Sequence, residues 1–149
     1  MEKLVCSASD FTQMLEDTLN DGAVVPLCVT GTSMRPFLLE GRDTVWLSRC
    51  CSEDIKRGSI VLFRRSDGTL VLHRIRRVKS DGVLTVNGDA QRWCEAVEAS
   101  RVIAVVRYIE RNGSKTNCAG GGFRFRSEIW QLSKPCRPFL LKVWRKLTK

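Results

Sequence analysis

In the segment Asp67-Gly-Thr-Leu-Val-Leu-His-Arg-Ile-Arg-Arg-Val-Lys-Ser-Asp-Gly-Val-Leu-Thr-Val86, two Asp-Gly pairs bracket a run of aliphatic and β-branched residues. Asp-Gly tolerates the positive φ of tight hairpin turns, and β-branched side chains suit a pleated, half-buried surface. The segment therefore predicts two successive hairpins, joining 59–63 to 70–78 across Asp67-Gly68 and 70–78 to 83–86 across Asp81-Gly82. Within the middle strand, period-2 alternation puts Val71, His73 and Ile75 on one face and Leu70, Leu72 and Arg74 on the other.

Outward from this segment the texture repeats. Val24 to Val29, Thr44 to Leu47 and Val102 to Ile109 are short apolar runs separated by turn residues, so the chain is expected to be mainly β. Before them, Phe11, Met14, Leu15 and Leu19 recur at helical spacing over Ser9 to Asn20, with Ser9 as the expected N-cap and Gly22 just past the end. After Gly113 a polar stretch ends in Gly120-Gly121-Gly122, which reads as a flexible linker. Beyond Pro138, the residues Phe139, Leu140, Val143, Trp144 and Leu147 form one stripe, and Lys142, Arg145, Lys146 and Lys149 occupy the rest of a basic amphipathic helix. The expected organisation is a helix in 1–22, a β-domain in 23–112, and a linker with a basic helix in 113–149.

A chain of 149 residues with 43% hydrophobic content is long enough for one core and short for two. No apolar run approaches the ~20 residues that cross a bilayer. The start Met-Glu-Lys-Leu-Val-Cys-Ser carries no long apolar segment, so a cytoplasmic protein is expected, with the membrane periphery as an alternative. Seven cysteines, an odd number without a Cys-x-x-Cys pair, read as reduced thiols. A single histidine and no spaced ligand set leave no metal or cofactor to expect.

The net charge of +9 is uneven: residues 111–149 hold ten basic groups and one acidic group. This tail can meet nucleic acid or anionic lipid through its field alone, or be a solvated basic face, and its helix can lie on an anionic membrane, dock on a protein partner or pack on its own domain. Nucleic acid is not the expected partner, and no helix-turn-helix pattern precedes the β-region, although the basic tail leaves such a contact open.

A serine hydroxyl becomes a useful nucleophile only beside a base, and with one imidazole in the chain that base can only be His73. Burial on its apolar face would keep the ring neutral, although a lone histidine in that setting also suits a hydrogen-bonded core residue. Ser33 lies in Val29-Thr-Gly-Thr-Ser-Met-Arg-Pro36, where a strand runs into a glycine-containing bend restricted by proline. Such a bend can hold a hydroxyl exposed and fixed, or serve as a turn in which Thr32 and Ser33 bond local backbone.

Four motifs occur in one order: Gly31-Thr-Ser-Met-Arg-Pro36, Gly58-Ser-Ile-Val-Leu-Phe63, Leu72-His-Arg-Ile75 and Asn87-Gly-Asp89. Together they resemble the S24/S26 serine peptidase superfamily, which includes signal peptidase I and the LexA-type self-cleaving repressors. Ser33-Met34-Arg35-Pro36 matches its nucleophile motif, and His73-Arg74 resembles the branch, typified by endoplasmic-reticulum and archaeal signal peptidases, in which histidine replaces lysine as base. The resemblance covers about Val24 to Ile109 and implies a signal-peptidase/LexA-like β-domain. It implies Ser33 as nucleophile, His73 as general base, Glu95 as the carboxylate orienting the ring and Asp89 as its support. Thr32, Met34 and Pro36 become the expected substrate-binding or oxyanion positions. The implied activity is endoproteolysis of a peptide or protein segment bound as an extended strand, with a non-catalytic peptide-binding module as the alternative. The chain departs from the pattern in lacking a membrane anchor, in carrying Gly31 where many members place an oxyanion-binding serine, and in having Ser59 in place of aspartate after Gly58.

Overall fold

The computed structural model describes residues 7–148. The expectation drawn on the extreme N-terminus concerns residues outside that range, as does Lys149. The architecture is mainly β, as the sequence predicts: one antiparallel sheet of eight strands carries three α-helices on its outside.

Helix α1 spans Ala8–Asn20 and buries Leu15 and Leu19 against the sheet, with Phe11 packed alongside. Its N-cap is Ser7 rather than Ser9, because the Ser7 hydroxyl accepts the Asp10 N–H at 3.1 Å. Met14, on the predicted stripe, points to solvent.

The strands are β1 (Val25–Cys28), β2 (Asp43–Arg49), β3 (Ile60–Arg64), β4 (Leu70–Val78), β5 (Val83–Asn87), β6 (Glu95–Glu98), β7 (Val102–Arg111) and β8 (Ser114–Asn117). They are ordered β1-β2-β7-β3-β4-β5-β6, and β8 pairs with β7. Both Asp-Gly hairpins are present. Asp67 accepts the Thr69 N–H at 2.9 Å and Asp81 accepts the Val83 N–H at 3.0 Å, so each turn is closed by its own carboxylate. Pro26 sits in β1, an edge strand, where the missing N–H costs no ladder bond.

The sheet is covered on both faces. Leu70 and Leu72 pack towards the cluster containing Leu15, Leu38, Leu47 and Leu62, whereas Val71 and Ile75 join Phe63, Leu84 and Val86 on the other side. The predicted alternation along β4 is thus realised; Ile75 is fully buried, worth about 1.5–3 kcal/mol, and the half-buried Leu70, Val71 and Leu72 contribute less.

The C-terminal third corrects the sequence expectation. Residues 113–122 are not a flexible linker, and the β-domain does not close at Asn112. Asn112 and Gly113 adopt positive φ values of 51° and 76°, and β8 folds back with Ser114 opposite Arg111 and Asn117 opposite Tyr108. Asn-Gly is itself a hairpin signal, and the part of β7 beyond its pairing with β3 offers a free edge. Helix α2 (Gly121–Leu132) then buries Phe123, Ser127 and Gln131, one stripe at i, i+4, i+8 spacing. Helix α3 (Arg137–Leu147) fully buries only Arg137; of the apolar stripe read from the sequence Trp144 is half-buried, and Phe139, Leu140, Val143 and Leu147 remain exposed. Strand β6, with charged residues at both ends and only Val97 buried, carried too little apolar pattern to be foreseen. Among the described residues, no helix is long and apolar enough to cross a membrane.

Candidate active site

The site begins where β1 ends. Gly31, at φ +78°, makes a left-handed bend that residues with a Cβ disfavour, and the chain turns through Thr32 to Leu39. Met34 and Leu38, 4% and 0% exposed, pin this turn into the core, and the Leu38 N–H donates to the Met34 carbonyl at 3.0 Å. Asp43 holds the far end by accepting the Leu39 N–H at 2.9 Å. Its carboxylate also accepts from Arg42 and Arg111. Burial alone would raise its pKa, but these bonds win and hold it at about 2.

Ser33 is fixed from behind by the loop after β5. The Ala90 N–H donates to the Ser33 carbonyl at 2.8 Å, and a Cβ on Gly88 would stand 2.6 Å from the same oxygen. The second observation is the physical reason that the Asn87-Gly88-Asp89 motif needs glycine. The Ser33 N–H donates no hydrogen bond within the described fold.

His73 sits on β4 opposite Val61, 2% exposed, with its ring edge-to-face against Phe63 at a centroid distance of 6.0 Å. Its Nδ1 lies 3.1 Å from Glu95 Oε1, in a contact bent away from the N–H direction. Glu95 is held in turn by Arg65, whose Nε and Nη2 donate to its two oxygens at 3.0 and 2.8 Å. Desolvation lowers the His73 pKa below its ordinary value against the opposing pull of Glu95, while the Arg65 bonds keep Glu95 itself low and ionised. A neutral imidazole beside an ionised carboxylate is the result.

Ser33 and His73 line one groove of about 320 Å³, together with Leu27 to Val29, Leu70 to Leu72 and Gln91. With Nδ1 against Glu95, Nε2 is the ring nitrogen left for this groove. No hydrogen bond joins it to the Ser33 hydroxyl among the described residues, which is common in unliganded sites that tighten on substrate. Gln91 contributes a side-chain amide whose Oε1 accepts the Gly88 N–H at 3.2 Å, leaving its Nε2 as a free donor.

The other expected site residues fall elsewhere. Asp89 is 1% exposed and occupied by Arg74, whose Nε and Nη2 donate to its oxygens at 2.8 and 2.7 Å. Of the two candidate carboxylates, only Glu95 meets the ring. Met34 lines the groove from below, but Thr32 is solvent-exposed and Pro36 lines a different cleft with Phe37 and Arg111. Neither belongs to the groove wall.

Sequence reasoning did not identify Arg65, Gln91, Ser127 or Trp130. Arg74, 0% exposed, also donates to Ser127 Oγ at 2.8 Å and to the Gly58 carbonyl at 3.1 Å, and stacks over Phe37. Trp130 donates from Nε1 to the Asp89 carbonyl at 2.9 Å. Helix α2 is therefore part of the support of the Gly88–Gln91 loop. The position of Arg74 next to His73, on the opposite strand face, was the one readable signal for this network. No protein-family model and no curated protein matches the chain.

Proposed function

We propose that the protein is a serine endopeptidase that binds a peptide segment as an added strand and cuts it through an acyl-enzyme on Ser33. The observation that carries this reading is the sharing of one groove by Ser33 and the only imidazole of the chain, with a carboxylate at the far nitrogen of that ring. The motif order that resembles the signal-peptidase and LexA superfamily supports it independently.

In this mechanism Ser33 Oγ attacks the scissile carbonyl carbon while His73 Nε2 takes its proton. Glu95 stabilises the imidazolium that forms, and Arg65 keeps Glu95 ionised and in place. The C–N bond then breaks as the imidazolium protonates the departing amine. Water, deprotonated by the same ring, releases the acid and frees the serine. The oxyanion has the Ser33 N–H as one donor, and the Gln91 Nε2 takes the role that the absent hydroxyl at position 31 fills in relatives of this pattern. The free edge of β1 beside the groove suits an extended substrate, whose backbone would complete the ladder.

The absence of a Ser33–His73 hydrogen bond favours one second reading, a peptide-binding module that retains the groove without turnover. A serine-reactive acylating probe separates the two. The peptidase reading expects a covalent adduct on Ser33 that disappears in Ser33→Ala and His73→Ala, both still folded. A wild-type protein that binds peptide but is inert to probes and peptide libraries alike overturns it.

A further inference from the structure

The C-terminal helices expose apolar surface that the fold does not use. On α2 the buried stripe of Phe123, Ser127 and Gln131 is backed, on the opposite side, by Phe125, Ile129 and Leu132, at 67%, 52% and 73% exposure. On α3 the residues Phe139, Leu140, Val143 and Leu147 are 69%, 37%, 38% and 80% exposed, while Trp144 of the same stripe is half-buried. These two helices supply seven of the twelve large apolar side chains left in solvent among the described residues. Scattered exposure of this kind is ordinary, whereas its concentration on successive helices marks an interaction surface.

The charges beside it select the occupant. Lys142, Arg145 and Lys146 flank the α3 stripe, all exposed and none in an ion pair among the described residues, and α3 carries no acidic residue. Two α3 faces packed on each other would bring these cations together, which disfavours a second copy of the chain. An apolar stripe bordered by unpaired cations matches a bilayer surface carrying anionic headgroups, where the stripe enters the acyl boundary and the cations stay at headgroup level.

We infer that α2 and α3 form a docking surface for an anionic lipid bilayer. The surface is rigidly joined to the groove: Arg137, at the start of α3, donates to Asn87 Oδ1 at 2.6 Å and to the Gln91 carbonyl at 3.0 Å. Lys134, between the helices, reaches Cys94 Sγ at 3.2 Å, next to Glu95. Docking would hold the groove at a set height above the lipid. The inference does not rest on the peptidase reading, because binding requires neither Ser33 nor His73.

The test is flotation of the full chain with vesicles of phosphatidylcholine alone or mixed with phosphatidylglycerol. Binding to the anionic vesicles, weakened by added salt and retained by Ser33→Ala, is expected. The triple change Lys142→Gln, Arg145→Gln, Lys146→Gln should weaken it by roughly 100-fold. Phe139→Ser with Leu147→Ser should abolish it while far-ultraviolet circular dichroism and thermal unfolding remain those of the wild type. Absence of flotation, equal flotation with neutral vesicles, or unchanged flotation of the folded variants overturns the inference. So does a concentration-dependent dimer that the Phe139 and Leu147 changes dissolve, since it would identify a second copy as the occupant.

Discussion

Gly88 stands with its Cα against the carbonyl of Ser33, so close that a methyl group there would lie 2.6 Å from the oxygen. The obstacle is backbone, which cannot swing aside as a side-chain tip can. Gly88→Ala should therefore displace the Ser33 turn or the 88–91 loop, at a cost of about 1–3 kcal/mol. Denaturant unfolding measures the loss, and adduct formation at Ser33 should fall more than stability alone explains. A variant as stable and reactive as wild type would show that the two backbones are free to separate.

In the proposed mechanism only the neutral form of His73 can accept the serine proton, so hydrolysis should rise with pH through the ring's pKa and level off above it. Burial holds that pKa below the ordinary 6.5, which puts the acid limb of kcat/KM below 6.5. Glu95→Gln removes the carboxylate that pulls the pKa upward and leaves the Arg65 charge unbalanced. The limb should shift to still lower pH while the plateau drops by on the order of 10²–10⁴-fold. A limb that moves towards neutrality instead would mean that Glu95 does not act on the ring.

Gln91 is the residue assigned to the second oxyanion contact, and its removal should be felt in the transition state rather than in binding. Gln91→Ala and Gln91→Glu should each lower kcat by on the order of 10²–10³-fold with KM little changed. An equal loss expressed wholly in KM would make Gln91 a substrate-binding residue instead.

Arg74 and Asp89 form a fully buried pair, and removing one partner strands the other's charge. Arg74→Met should destabilise the fold by about 3–5 kcal/mol, and adding Asp89→Asn should recover part of that loss. The comparison is of unfolding midpoints at neutral pH. Strict additivity of the two changes would show that the pair is not coupled.

Asp43 sets an acid limit. Its carboxyl is lowered from the ordinary 3.8 to about 2 in the folded protein, so its contribution of about 2 kcal/mol is complete above 3.8 and disappears as pH falls towards 2. His73 erodes stability earlier, below 6.5, because the unfolded chain protonates a ring that the folded chain keeps neutral. Asp43→Asn should lower stability at neutral pH and flatten the dependence between 3.8 and 2, as followed by thermal unfolding.

The elements legible in the sequence were those whose information is local. The Asp-Gly turns, the alternation of Leu70 to Val78 and the spacing of Leu15 and Leu19 each specify their structure within a few residues. The placing of Ser33 and His73 on one groove, with Glu95 against the ring, was accessible only through motif resemblance, since those residues come from separate turns and strands. What was misread depends on partners distant in the chain. Gly120-Gly121-Gly122 has the composition of a linker, but Phe123 has a core to enter and Ser127 a buried guanidinium to meet. The α3 stripe has the opposite history: its spacing promises burial, and beyond the half-buried Trp144 its apolar side chains stay in solvent.

The bond from Ser127 to Arg74 also has a direction in time. The ribosome delivers β4 well before α2, so a nascent chain carries an incompletely partnered guanidinium behind its groove until the residues around Ser127 and Trp130 emerge and fold. The support behind the groove is finished by late-synthesised residues, and a polypeptide arrested before them would lack the bonds from Ser127 and Trp130 that hold Arg74 and the Gly88–Gln91 loop.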